Sequence, residues 1–185
     1  MSRFNREDIL RLRLAPIAAA LVASISAVAI ADDTRVARRS QQSDGRALIE
    51  DGFARWAKGE FDIFSLLADD VTWHITGQDP AIATTYHSRE ALLDGAARPL
   101  AARAAAPLKP TVRRIWSDGD DVIVHWEGTA PLVDGTTYRN TYLWIMTVRD
   151  GRVTAVTAFL DNAAFKRALA TPLPSGSPKV GSARN

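Results

Sequence analysis

A chain of 185 residues with 46% hydrophobic side chains is long enough to close one domain around a proper core. Cysteine is absent, which excludes disulfides, thiol nucleophiles and thiolate metal sites. The 23 basic and 21 acidic residues form no basic stripe interleaved with aromatics, so nucleic acid is not an expected partner.

The chain opens on Arg3, Arg6, Arg11 and Arg13, followed by an uncharged run, residues 15–31, that closes on Ala29-Ile30-Ala31 before Asp32-Asp33. This is the layout of a secretory signal peptide over residues 1–31, and it predicts a secreted or periplasmic protein. The run is short for a spanning helix. A retained anchor is the alternative, and no stable membrane span is expected once the leader is cut. Cleavage after Ala31 removes four arginines together with Glu7 and Asp8, so nineteen basic and nineteen acidic residues remain. Residues 32–44, "DDTRVARRSQQSD", are polar and aperiodic and predict a flexible linker. Residues 171–185, "TPLPSGSPKVGSARN", predict a disordered tail. One domain is expected between them, over residues 45–170.

Within it, Leu48, Ile49, Phe53 and Trp56 recur at helical spacing, and "FDIFSLLA" (residues 61–68) predicts a second, shorter helix. In "DVTWHIT" (residues 70–76) Val71, Trp73 and Ile75 share one face of a strand, and His74 lies on the other. Ser88 is placed to cap a helix through Glu90, Leu92 and Leu93, which Pro99 should kink. Four strands follow, over residues 110–117, 121–133, 136–149 and 152–160. Asp134-Gly135 and Asp150-Gly151 join the last three as hairpins, and a last helix follows Asp161. Helices followed by an antiparallel meander predict an α+β fold, a cone-shaped curved antiparallel sheet with helices packed on its concave face.

Two-residue turns set the strand register. They place Glu127 opposite Tyr142, His125 opposite Trp144, Tyr142 opposite Phe159 and Asn140 opposite Asp161. One face then carries His125, Glu127, Thr129, Asn140, Tyr142, Trp144, Thr157 and Asp161. The other carries Val122, Val124, Trp126, Leu143, Ile145, Val156, Ala158 and Leu160. A sheet packed on one side buries its more apolar face. The second set is therefore expected inside, with Asp161 as the cap of the last helix. A β-bulge would shift the register and bring His125, Glu127, Asn140, Tyr142 and Asp161 into the pocket as an acid-base cluster.

The order and lengths of these elements resemble the nuclear transport factor 2-like superfamily, and within it the SnoaL-like, ketosteroid-isomerase-related proteins. The matching stretches are "FARWAKGEFDIFSLLADDVTWHITG", "VIVHWEGTAPLVDGTTYRNTYLWIMTVRDGRV" and "AFLDNAAFKRAL". The resemblance implies a cavity for a small apolar ligand and a homodimer through the outer sheet face. It also places the isomerase base at or beside Ile75, the oxyanion Asp at Leu143 and the phenol at Trp56. None of these three residues can fill its role. SnoaL-like cyclases, epoxide hydrolases and dehydratases project His, Asp, Arg or Tyr into the same cavity. The candidates here near its mouth are Tyr86 and His87, with Arg139 and Thr141 near a strand end, although His87 reads better as a surface loop histidine.

The expected pocket lining is Trp56, Trp73, Ile75, Trp126, Leu143, Ile145, Ala158 and Leu160. The three histidines lack the spacing of a metal-ligand set, and no phosphate loop follows a strand, so neither metal nor cofactor is expected. The leading expectation is an exported domain that binds a small hydrophobic molecule. The rivals are a cofactor-free acid-base enzyme (isomerase, dehydratase, cyclase or epoxide hydrolase) and a dimeric interaction domain.

Overall fold

The structure, a computed structural model, describes residue 42 and residues 44–173. The expected leader, most of the linker and residues 174–185 of the tail lie outside the described residues. Gln42 and Asp44, expected in the linker, are helical.

Helix α1 (residues 44–57) buries Ile49 and Phe53 and half-buries Trp56. It stops at Gly59, whose φ of 76° suits the left-handed position after a helix; its N–H reaches the Trp56 carbonyl at 2.9 Å. The short helix expected over residues 61–68 is only a single 3-10 turn, Ile63–Leu66, capped by Asp62, because strand β1 (Leu67–Ile75) begins at once. Val71, Trp73 and Ile75 of β1 are buried. Strand β2 (Thr85–Tyr86) leads to Ser88, whose hydroxyl accepts from Ala91 N at 3.1 Å and starts α2 (Arg89–Leu92). A π-helical stretch, Leu93–Ala97, continues it into α3 (Arg98–Ala101). Pro99 can neither donate to the residue four back nor fit its ring against that carbonyl, and the wider turn just before it takes up the misfit.

Strands β3 (Lys109–Asp118), β4 (Asp121–Pro131), β5 (Thr137–Arg149) and β6 (Arg152–Leu160) form the meander, and α4 (Asn162–Leu169) closes the fold. The strand order is β2-β1-β6-β5-β4-β3 in one curved, unclosed sheet. The α+β architecture is the expected one, with one difference: β1 pairs parallel with β6, so the sheet is mixed. These strands are far apart in sequence and share no hairpin, so no turn imposes an antiparallel pairing.

Two local features move β5 by one residue against each neighbour. Leu132 N donates to Thr136 O at 2.8 Å, so the β4–β5 loop has three residues, Val133, Asp134 and Gly135, with Gly135 at φ 83°. Trp126 consequently faces Tyr142, and Gly128 faces Asn140. The β5–β6 turn keeps the expected Arg149–Arg152 pair, but Thr147 faces Ala155 while Val148 faces Val153, so Thr154 bulges out. Tyr142 therefore meets Leu160, and Trp144 meets Ala158. The faces of β5 are inverted from the expectation. Tyr138, Asn140, Tyr142, Trp144 and Met146 point inward and are buried, whereas Leu143 and Ile145 lie on the outer face. On β4 and β6 the inward sets, Val122, Val124 and Trp126 with Val156 and Ala158, are as expected.

Candidate functional site

Between the inner face of the sheet and the helices lies a cavity of about 70 Å³. Trp73 and Ile75 of β1, Trp126 of β4, Tyr142 and Trp144 of β5, and Ala158 and Leu160 of β6 supply its sheet wall. Trp56 of α1 and Phe64 of the 3-10 turn close one side. Leu92, Ala96, Ala97 and Leu100 of the α2–α3 run, with Leu108 and Phe165, close the others.

The space is small because indoles occupy most of the cone. Trp126 stacks on Tyr142 with centroids 4.0 Å apart and planes 8° from parallel. Trp144 stands edge-on to Trp126 at 4.7 Å and to Trp73 at 4.9 Å. Such edge and offset contacts suit the ring quadrupoles. Gly128 leaves room for the stack, since a Cβ there would lie 3.0 Å from the Tyr142 ring and 3.1 Å from that of Trp126.

The polar residues of the inner face form one connected group. Asn140 Nδ2 donates to Tyr138 Oη at 2.9 Å and to the Asp161 carbonyl at 3.0 Å, and Asn140 Oδ1 accepts from Asp161 N at 2.9 Å. The side chain thus prolongs the β5–β6 ladder beyond the last strand pair. Tyr138 Oη and Tyr142 Oη are 2.6 Å apart. Burial pushes both phenols above their ordinary value, Tyr142 well above it, so they are neutral hydrogen-bonding groups across the neutral pH range. Asp161 accepts from Ala164 N at 2.9 Å and caps α4, as expected.

The acid-base cluster considered for a shifted register does not assemble. Asn140 and Tyr142 are inside, but His125 and Glu127 stay on the outer face and Asp161 is held at the helix cap. Glu127 is bound at both oxygens by Arg113, at 2.9 and 2.7 Å, which holds its carboxyl below the ordinary range. His87 is exposed beside the cap of α2, and Arg139 and Thr141 are exposed on β5. Tyr86 is half-buried against Gly95, where a Cβ would overlap its ring, and it lies off the cavity wall.

Of the residues expected to line the pocket, the fold brings Trp56, Trp73, Ile75, Trp126, Ala158 and Leu160 together and turns Leu143 and Ile145 away. Leu143, laid over the isomerase oxyanion donor, thus faces outward between the inward Tyr142 and Trp144. The lining residues missed in the sequence carried a weak signal: Leu92, Ala96 and Leu100 recur every four residues, the spacing of one helix face. Among the described residues no group of three His, Asp or Glu side chains is placed to hold a metal ion, and no helix is long and apolar enough to cross a membrane.

An NTF2-like protein from Burkholderia thailandensis E264 superposes with a TM-score of 0.55 at 16% identity, over 68% of this chain and 96% of that one. A putative SnoaL-like polyketide cyclase from Jannaschia sp. CCS1 gives 0.54 at 17% identity, over 71% and 94%. An LEH-like epoxide hydrolase from M. tuberculosis gives 0.51 at 18% identity, over 69% and 90%. At these identities the likeness is one of fold. No curated protein matches the sequence. The profile of the SnoaL-like domain matches residues 49–156, the stretch that builds most of the sheet and the cavity, and the chain belongs to the SnoaL-like family.

Proposed function

We propose that this is an exported SnoaL-like domain that binds a small, flat, largely apolar molecule in its cavity, without a cofactor. The observation that carries the reading is the composition of the wall. Every lining residue is apolar or aromatic, and among them is no carboxylate, imidazole, ammonium or guanidinium group. A general acid or base works best with a pKa near the operating pH, and the Tyr142 phenol has been moved away from that range. The cyclase and hydrolase named among the structural neighbours favour the rival reading, a cofactor-free enzyme, by fold alone.

Titration with naphthalene, followed by quenching of tryptophan fluorescence, tests the reading. Saturable one-to-one binding is expected. Ala97→Phe, which adds a ring at a half-buried position on the cavity wall, should weaken it at least tenfold with little change in melting temperature. Absence of saturable binding to the unaltered protein would overturn the proposal.

The export part rests on the leader. The mature protein should begin at Asp32, and N-terminal sequencing that finds Met1 on cytosolic protein would refute it. For the outer sheet face we propose a second copy of the chain as partner. Register brings Trp116, Ile123 and Ile145 into one cross-strand row and Leu143 and Phe159 into the next. Trp116 is 36% and Phe159 43% exposed, and a two-fold axis would use this apolar patch twice.

A further inference from the structure

The cavity is small for the ligand class proposed for it. Its volume of about 70 Å³ is less than half of the roughly 150 Å³ that encloses one benzene ring in a dry protein core, and well below the roughly 300 Å³ at which ligand pockets begin. A two-ring molecule enters only if a wall moves. Most of the wall is held in place. Its sheet side stands on β1, β4, β5 and β6, each of which is paired on both edges. Trp56 is wedged against Phe53 and Trp126, with ring centroids 5.7 and 5.2 Å away, and Phe64 packs among Trp56, Trp73 and Trp144. Phe165 belongs to α4, whose cap is tied to Asn140 through the Asp161 backbone.

The longest remaining stretch of wall is the α2–α3 run, which presents Leu92, Ala96, Ala97 and Leu100 to the cavity. Within it Arg98 N donates to Leu93 O, five residues back. Such a turn holds one residue more than the α-helix on either side, and returning that residue to α geometry lengthens the run without breaking its flanks. Pro99, two residues beyond the turn, has no N–H to give to the Gly95 carbonyl, so one bond that would stiffen a regular helix is absent there. On the solvent side the exposed Arg98 pairs with Glu90, before the π turn, and with Asp94 inside it. Bowing the run away from the sheet stretches both pairs. Exposed pairs are weak, and a weak latch is one that a small ligand can open. Resting on the reading of the cavity as a ligand site, we propose that the π turn Leu93–Ala97 is a hinge at which the α2–α3 run bows outward to admit a flat two-ring ligand, while Arg98, paired with Glu90 and Asp94, latches the run against the sheet. The opening step is subtracted from the free energy of binding, so loosening the latch tightens the complex.

Removing Arg98, which is exposed and does not line the cavity, should therefore strengthen binding. Arg98→Ala is expected to bind naphthalene about threefold or more tightly than the unaltered protein, read by tryptophan quenching. Arg46→Ala, which breaks an exposed pair with Glu50 on α1, should leave the affinity unchanged. In a crystal structure of the naphthalene complex of the unaltered protein, the backbone of residues 92–101 should lie about 1 Å or more farther from β5 than in the present structure. That displacement decides alone if Arg98→Ala does not fold. An unchanged or weaker affinity in Arg98→Ala, an equal gain in Arg46→Ala, or a complex in which Trp56 or the sheet wall has moved instead would overturn the hinge and leave the ligand site standing. Absence of saturable naphthalene binding to the unaltered protein would overturn both.

Discussion

Tyr142→Asp is expected to abolish folding, while Leu143→Asp, one residue along, yields a folded monomer. Tyr142 is 6% exposed and lies flat on Trp126. Removing the ring opens a void of the kind that costs about 3–5 kcal/mol for large aromatic residues. The carboxylate that replaces it enters a wall with no cationic partner, a further cost of several kcal/mol. A domain stable by about 5–15 kcal/mol in total has little left after that. Leu143 lies on the outer face, opposite His125 on one side and Phe159 on the other. A carboxylate there stays hydrated in the monomer but would be buried twice across a two-fold interface, where like charges oppose association. Circular dichroism melting and light scattering after gel filtration distinguish the two variants. A folded Tyr142→Asp beside an unfolded Leu143→Asp would mean that the faces of β5 are the reverse of those described.

Asn140→Leu should lower the melting temperature by about 2–12 °C, although leucine has nearly the shape of asparagine. Asn140 is 6% exposed and uses its amide three times, twice on the Asp161 backbone and once on Tyr138. Leucine makes none of these bonds and leaves the part-buried Asp161 N–H without its partner, while the Asp161 carbonyl keeps the bond it accepts from Phe165 N at 3.0 Å. At about 1–3 kcal/mol for the one N–H orphaned in this way, and about 2–4 °C per kcal/mol in a domain of this size, the transition should fall by about 2–12 °C. Amide exchange of Asp161 should accelerate with it, because that N–H points at Asn140 and at nothing in a strand ladder. A thermal transition within about 2 °C of the unaltered protein would show that the junction between β6 and α4 is held by other contacts.

Much of this protein is written in short-range pattern. Alternation places Val122, Val124 and Trp126 on one face of β4 and Val71, Trp73 and Ile75 on one face of β1, because successive side chains in a strand must point to opposite sides. Ser88 and Asp161 announce two helix starts through chemistry local to the cap. Asp150-Gly151 marks its turn because both residues take positive φ, 49° and 71°, which few other residue pairs tolerate. These features depend on neighbours within four residues, and a sequence displays them directly.

The orientation of β5 depends on more than that. Both of its faces are apolar, Tyr142, Trp144 and Met146 against Leu143 and Ile145, so alternation alone does not say which goes inside. The parity was set by one extra residue in the β4–β5 loop and one in the bulge at Thr154, and a one-residue slip exchanges every side chain between the faces. Packing volume favours that outcome. The large rings of Tyr142 and Trp144 fill the cone against Trp126 and Phe53, while the smaller Leu143 and Ile145 are left to the outer surface. The sequence by itself thus determined most of the elements, two of the helix caps and the α+β architecture. Only the tertiary structure, through dense packing of aromatic rings between sheet and helix, decided that Asn140, Tyr142 and Trp144 line the inside and that His125 and Glu127 do not join them.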